Sequence, residues 1–330
     1  MQRLYRLAVV LFFLTLLSGL VLRSGPTPDR PAAERRFEFT YETSLRDLPA
    51  GAKRLDIWVP YPVSDDYQQV SEVRVDSPFK TTRTKDKEYG NTMLYVGVDN
   101  PSRTAAEIRM SFNVTRREHR MSQGPAAGRA AQDPLRARYL MPDALVPIDG
   151  KVKGMALEVT RGKGTPMEKA RAIYDHTVST LKYDKSGTGW GRGDIHYACD
   201  VRKGNCSDFH AVFIGFCRAV GIPAKFEIGF PLPEARGKGE IGGYHCWAHF
   251  YVDERGWVPV DSSEAAKNPG KREYFFGTHD ENRVLFTRGR DIRLEPPQKG
   301  RPLNFFIYPY VEVDGKPFEN VSKKFTFTDQ

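Results

Sequence analysis

The run GNCSDFHAVFIGFCRAVGIP, residues 204–223, sets a cysteine at the opening of an apolar helix. Phe209, Val212, Phe213, Phe216 and Val220 recur at i, i+3, i+4 and i+7, the period of a helix with one buried face. Gly204, Asn205 and Ser207 favour a turn into the first helical turn, and Asp208 suits the positive end of the helix dipole. Gly221 can adopt the left-handed conformation that ends a helix, and Pro223 forbids continuation. Cys206 therefore falls at, or within one residue of, the helix N-terminus. Free N–H groups and a partial charge of about +0.5 favour the thiolate there. Such thiols have pKa values of roughly 3.5–7.5, against about 8.5 for an unperturbed one. Taken alone, Cys206 would equally suit a small buried hydrophobe.

The downstream residues weigh against that plainer reading. Residues 242–252 are aromatic and apolar enough for a strand, whose alternation puts His245, Trp247, His249 and Tyr251 on one face. Asp253, Glu254, Arg255 and Gly256 form a turn, and Trp257–Asp261 returns as a second strand. Such a hairpin sets Asp261 beside His245. The order thiol, imidazole, carboxylate is that of a nucleophile, its base and the group that orients the base. Separately, His245 would pass for a core histidine and Asp261 for a turn or cap residue.

Four segments carry a family resemblance: Gly204-Asn205-Cys206-Ser207-Asp208, Arg218 to Ala224, His245-Cys246-Trp247, and Trp257 to Asp261. In this order they resemble the transglutaminase-like superfamily, and its bacterial exported members in particular. Gly189–Asp194, Tyr274–Gly277 and Asn282–Asp291 look familiar from the same group. The likeness covers roughly residues 139–294. It implies an α+β, papain-like core with Cys206 as nucleophile, His245 as general base and then acid, and Asp261 as the orienting group. It also implies that the Cys206 N–H forms part of an oxyanion hole. Trp190 and Tyr183 are the weaker candidates for a second donor, and Trp190 and Trp247 for the walls of a cleft. His249 departs from the family pattern, which more usually has an acidic residue there. His210, one helical turn after Cys206, reads first as a helix residue bonded to a nearby carbonyl or carboxylate, and otherwise as support for the thiol. The calcium dependence of some animal relatives is not expected, because no acidic loop is present.

The rest of the chain bounds the answer. The 330 residues carry a formal net charge of +9, with Arg3, Arg6 and Arg23 in the N-terminal segment. That excess suits an anionic envelope surface, while the absence of a compact basic patch interleaved with aromatics argues against nucleic acid. Leu7–Leu22 is an uncharged, mostly apolar run, so residues 1–25 read as a signal sequence or membrane anchor and the body as exported, in the periplasm or cell envelope. The four cysteines, Cys199, Cys206, Cys217 and Cys246, contain no CxxC pair, and neither a metal nor a cofactor is expected. One disulfide among Cys199, Cys217 and Cys246 is compatible with an oxidising compartment, and a Cys199–Cys206 bridge would lock the thiol.

Residues 26–36 read as a linker. Residues 37–120 alternate as the short strands of a β-sandwich, as in Phe37/Phe39/Tyr41 and Ile108/Met110/Phe112/Val114. Residues 121–164 connect to a catalytic core at 165–294, where Thr165, Pro166 and Glu168 form a capping box with proline at N1. Residues 295–330 suggest a terminal β-hairpin in which Phe305–Val313 turns at Asp314-Gly315 and returns through Phe325–Phe327. The expected activity is acyl transfer on an amide: a peptide, a protein glutamine or a cell-wall peptide. The competing expectation is a catalytically silent module of the same fold that binds peptide or protein.

Overall fold

Every side chain from Cys206 to Arg218 is buried, which puts this helix at the centre of the molecule. The computed structural model describes residues 31–124 and 133–330. The helices are α1 (Gly150–Val159), α2 (Pro166–Thr180), α3 (Ile195–Val201), α4 (Cys206–Ala219) and α5 (Ser262–Lys267). The expectation of a single buried face on α4 is corrected: α1, α2, α3, α5 and the strand His245–Val252 all pack on it. Its charged residues Asp208 and Arg218 are buried and partnered as a result. Arg218 donates to Asp143 Oδ2 at 2.6 Å and to the Ala224 carbonyl at 2.9 Å. Gly215 lets α3 approach, because a Cβ there would stand 2.3 Å from Ile195 Cδ1. Burying phenylalanines such as Phe209, Phe213 and Phe216 contributes about 1.5–3 kcal/mol each.

Helix starts follow the local chemistry. Asn205 caps α4, and Asn205 and Asp208 complete a reciprocal capping box that makes Cys206 the first helical residue. Thr165 and Glu168 do the same for α2, with Pro166 at N1. A two-residue parallel pairing of Lys182–Tyr183 with Lys203–Gly204 ties the end of α2 to the approach to α4.

Beside α4 lies an antiparallel sheet in the order Gly256–Val260, His245–Val252, Ala224–Pro231, Arg283–Arg288. The last pairing shifts register between Ile228 and Gly229. A Cβ on Gly229 would sit 1.8 Å from the Val284 carbonyl oxygen, so only glycine permits this close approach. Gly229→Ala is expected to cost about 2 kcal/mol by forcing the strands apart. A thermal melt should fall by about 4 °C; an unchanged midpoint would show that the bulge opens freely.

Two five-stranded antiparallel sheets complete the fold. One runs Lys238–Glu240, Val321–Asp329, Glu34–Leu45, Ala106–Arg117, Gln68–Asp76. The other runs Lys316–Pro317, Tyr310–Val313, Arg54–Pro60, Thr92–Asp99, Thr82–Lys85. The inward residues Phe37, Phe39, Tyr41, Ile57, Met110 and Phe112 join α4 in one continuous apolar core. The terminal hairpin differs from expectation. Tyr310–Val313 turns at Asp314-Gly315 and pairs with Lys316–Pro317, whereas Val321–Asp329 crosses to the other sheet and pairs with Glu34–Leu45 along its length. Phe325 and Phe327 thereby reach a core that a local hairpin would not offer them. Among the described residues no helix is long and apolar enough to cross a membrane. The Leu7–Leu22 run lies outside them.

Candidate active site

The capping box places the Cys206 thiol at the positive end of α4, where its own N–H has no intrahelical acceptor. The strand His245–Val252 packs on α4 and brings the His245 ring and the Cys246 thiol beside it. His245 Nε2 lies 2.7 Å from Asp261 Oδ2, which leaves Nδ1 as the ring nitrogen free for the thiol. Asp261 follows the strand Gly256–Val260 and is the N-cap of α5, where Oδ1 accepts from the Glu264 N–H at 3.0 Å and from Ser263 Oγ at 3.1 Å. Holding the His245 ring and capping α5 are thus one placement. Arg283 Nη1, 3.1 Å from Asp261 Oδ2, completes the set.

Electrostatics favour an ion pair. Burial opposes the Cys206 thiolate, but hydrogen bonding from Cys246 and His245 and the His245 charge hold its pKa well below the usual thiol range. Burial also opposes charge on His245; the Asp261 carboxylate overrides it and pushes the imidazole up to about 10. Asp261 is itself held well below the usual carboxylate range, its burial outweighed by His245 and Arg283. The other thiols move the opposite way: burial drives Cys217 and Cys246 up, and Cys199 up to about 11. All four cysteines are free.

Asp208 anchors the loop before α3. Its carboxylate accepts the N–H groups of Gly191 at 2.7 Å, Gly193 at 3.0 Å and Asn205 at 2.9 Å. The Arg192-Gly193-Asp194 tripeptide is consumed by the same architecture: Asp194 caps α3, and the Arg192 carbonyl accepts from Arg290 and Asn304. Tyr244 stands over the helix start, its hydroxyl 3.0 Å from both Asn205 Nδ2 and Ser207 Oγ and 3.3 Å from the Gly191 carbonyl.

The weaker candidates separate clearly. Trp247 is fully buried and donates to Glu227 at 2.8 Å, so it packs behind the site and lines no cleft. The Trp190 indole N–H is spent on the Gly187 carbonyl at 3.0 Å and supplies no oxyanion donor. Tyr183 is half-buried near the thiols, with Lys267 Nζ 4.8 Å above its ring. His210 points into the site from below: Nδ1 is 3.6 Å from Cys246 Sγ and Nε2 is 3.6 Å from Asp261 Oδ1. Burial lowers its pKa to about 4, so it stands neutral beside the carboxylate, with Nε2 beyond hydrogen-bond reach. The linear reading missed Tyr244, Arg283 and the nearness of Cys246 to Cys206. Tyr244 directly precedes His245 and was the one available signal.

A thiol at a helix start, an imidazole on a strand and a carboxylate just past the next strand define the class, an α+β core organised around one cysteine. The family model of the transglutaminase-like superfamily matches residues 153–262, a span that includes Cys206, His245 and Asp261. The chain is 28% identical over 327 residues to an uncharacterized protein of Haemophilus influenzae, covering 87% of this chain and 88% of that one. It is 24% identical over 149 residues to the uncharacterized protein YebA of Bacillus subtilis, covering 41% of this chain and 20% of YebA. Its fold is similar to the crystal structure of a "Putative Cysteine Protease" from Cytophaga hutchinsonii, with a TM-score of 0.59 and 13% identity over 90% of this chain and 98% of that one.

Proposed function

We propose that the protein is a cysteine-dependent acyl-transfer enzyme acting on peptide or protein amides in the cell envelope. One observation carries the reading: a thiol at a helix N-terminus beside an imidazole whose other nitrogen is 2.7 Å from a buried carboxylate. In the first half-reaction the Cys206 thiolate adds to the amide carbonyl, with the α4 N-terminus facing the developing oxyanion. His245 then gives its proton to the departing amine, leaving a thioester. In the second half-reaction His245 takes a proton from water or an acceptor amine, which attacks the thioester and frees Cys206. Asp261 fixes the ring and stabilises its cation throughout.

The test is the pH dependence of Cys206 alkylation by iodoacetamide, mapped by peptide mass, in wild type and His245→Ala. Reaction should begin well below the usual thiol range and collapse or shift in the variant; a thiol that titrates like free cysteine in both would overturn the reading. Turnover should follow a bell. It falls on the acid side as the thiolate takes a proton, and on the alkaline side as His245 loses its proton near pH 10. Both limbs belong to the pair rather than to either residue.

The silent-module reading draws on a different observation, the 1% exposure of Cys206 and 5% of His245. Chloroacetamide-modified peptides discriminate: an enzyme is labelled at Cys206 in a sequence-dependent way, whereas a module binds the parent peptide without labelling.

A further inference from the structure

His119, His249 and His279 come from separate strands and converge behind the triad. They are 7%, 3% and 0% exposed, and one ring nitrogen from each lies within 4.8 Å of the others. His119 and His279 face each other in the pairing of His119–Arg120 with Thr278–His279. His249 projects from the strand that carries His245. His119 Nδ1 and His249 Nε2 are 3.3 Å apart.

Their hydrogen bonding is incomplete. His249 Nδ1 and both nitrogens of His279 have no hydrogen-bond partner. Leaving a buried polar atom unpaired costs about 1–3 kcal/mol; His249 Nδ1 faces Glu227 and one His279 nitrogen bears on the Val260 backbone, so the remaining His279 nitrogen, within the cluster, is the one that calls for a ligand. All three rings are buried, which disfavours their charged form, and a neutral ring has the lone pair that a cation needs. Neighbouring rings fix the geometry: Tyr67 stacks on His119 at 3.6 Å, and Trp247 meets His279 at 5.9 Å.

We propose that His119, His249 and His279 form a buried binding site for a divalent transition-metal cation, zinc being the natural fit to three imidazoles. Tetrahedral zinc with bonds of about 2.0–2.1 Å sets its nitrogens about 3.4 Å apart. The His119–His249 pair already has that spacing, and His279, within 4.8 Å of the others, needs to close in by up to about 1.4 Å. On the far side of His249, Glu227 Oε2 stands 3.6 Å from Nδ1, the carboxylate–histidine arrangement that orients metal-bound imidazoles. The surrounding charge opposes a bare cation, since Arg116, Lys225 and Arg283 all bear on His119. An anionic fourth ligand, hydroxide or chloride, restores the balance, and buried Arg116 has its Nε and Nη1 unpartnered to hold one.

The site would act on the triad by position. Arg283 stacks over Trp247 at 4.9 Å and bonds Asp261, while Trp247 packs on His279. A cation would therefore brace the floor on which Asp261 rests, outside the reacting atoms.

Elemental analysis of tag-free full-length protein in a Cys206→Ala background, which removes the reactive thiol as a competing ligand, should find about one zinc per chain. After chelator dialysis, titration with zinc alone should restore it and raise the melting temperature. His279→Ala should weaken zinc binding by about 100-fold, and Glu227→Gln, which keeps all three rings, by about tenfold. Protein that carries no zinc and binds it no more tightly than His279→Ala overturns the proposal. If His279→Ala does not fold, an unchanged affinity in Glu227→Gln does so instead. None of these outcomes depends on whether Cys206 is catalytic.

Discussion

Cys206→Ala is expected to lower amide turnover by at least about 10⁴-fold while leaving the melting temperature within a few degrees of wild type. No other thiol can substitute. Cys246 is adjacent, but burial and the Cys206 charge push its pKa far up, so it offers no nucleophile at neutral pH. Asp261→Asn should come close in size, about 10³–10⁴-fold, because an amide can present its N–H to His245 and hold the wrong tautomer. That variant has a second signature. Arg283, fully buried, loses one of its two carboxylates and keeps Asp280 at 3.2 Å. Leaving a buried ion pair half broken costs about 3 kcal/mol, so Asp261→Asn should be unstable as well as slow. Steady-state kinetics and thermal melts on both variants check this; a Cys206→Ala protein that retains a tenth of the activity would end the acyl-enzyme account.

The second large effect is structural. Asp208→Ala removes the common acceptor of the Gly191, Gly193 and Asn205 N–H groups, two of which are otherwise enclosed, and the acidic half of the capping box of α4. Orphaned donors at about 1–3 kcal/mol each are partly offset by relief of a carboxylate whose burial raises its pKa. The net loss should be about 4 kcal/mol, read as a fall of about 8 °C in the melt. Asp208→Asn keeps an acceptor oxygen and should lose about half as much. Because the same loop covers the helix start, hydrogen exchange at residues 187–193 should rise in Asp208→Ala before the rest of the fold opens. Uniform exchange across the chain would mean that the carboxylate does not hold the loop.

What was legible in the chain was local. The start of α4 and the box at Thr165 and Glu168 could be read because capping is decided by residues three apart. The alternation of Phe37, Phe39 and Tyr41 survives because one face of that strand meets the core. The full burial of α4 was not legible, since Ser207, His210 and Arg218 look solvent-facing until neighbouring loops and strands cover them and supply their partners. Trp247 misled for a related reason: its indole partner Glu227 is supplied by a neighbouring strand. The histidine cluster has no linear spacing at all; only the sheet pairings bring 119, 249 and 279 together. His249 stood out as a family departure without any sign of its neighbours.

The strand Val321–Asp329 has a consequence for synthesis. It pairs with residues 37–45 of the strand Glu34–Leu45, and the Phe325 ring lies 4.7 Å from that of Tyr41 and 4.2 Å from that of Phe230, in the sheet that carries His245. On the ribosome, Cys206, His245 and Asp261 are all made before that strand emerges. The nascent chain then holds Cys206 over a core still open along one side, and domains generally fold as units. Cys206, His245 and Asp261 are therefore expected to gain their final packing only after Val321–Asp329 has been made.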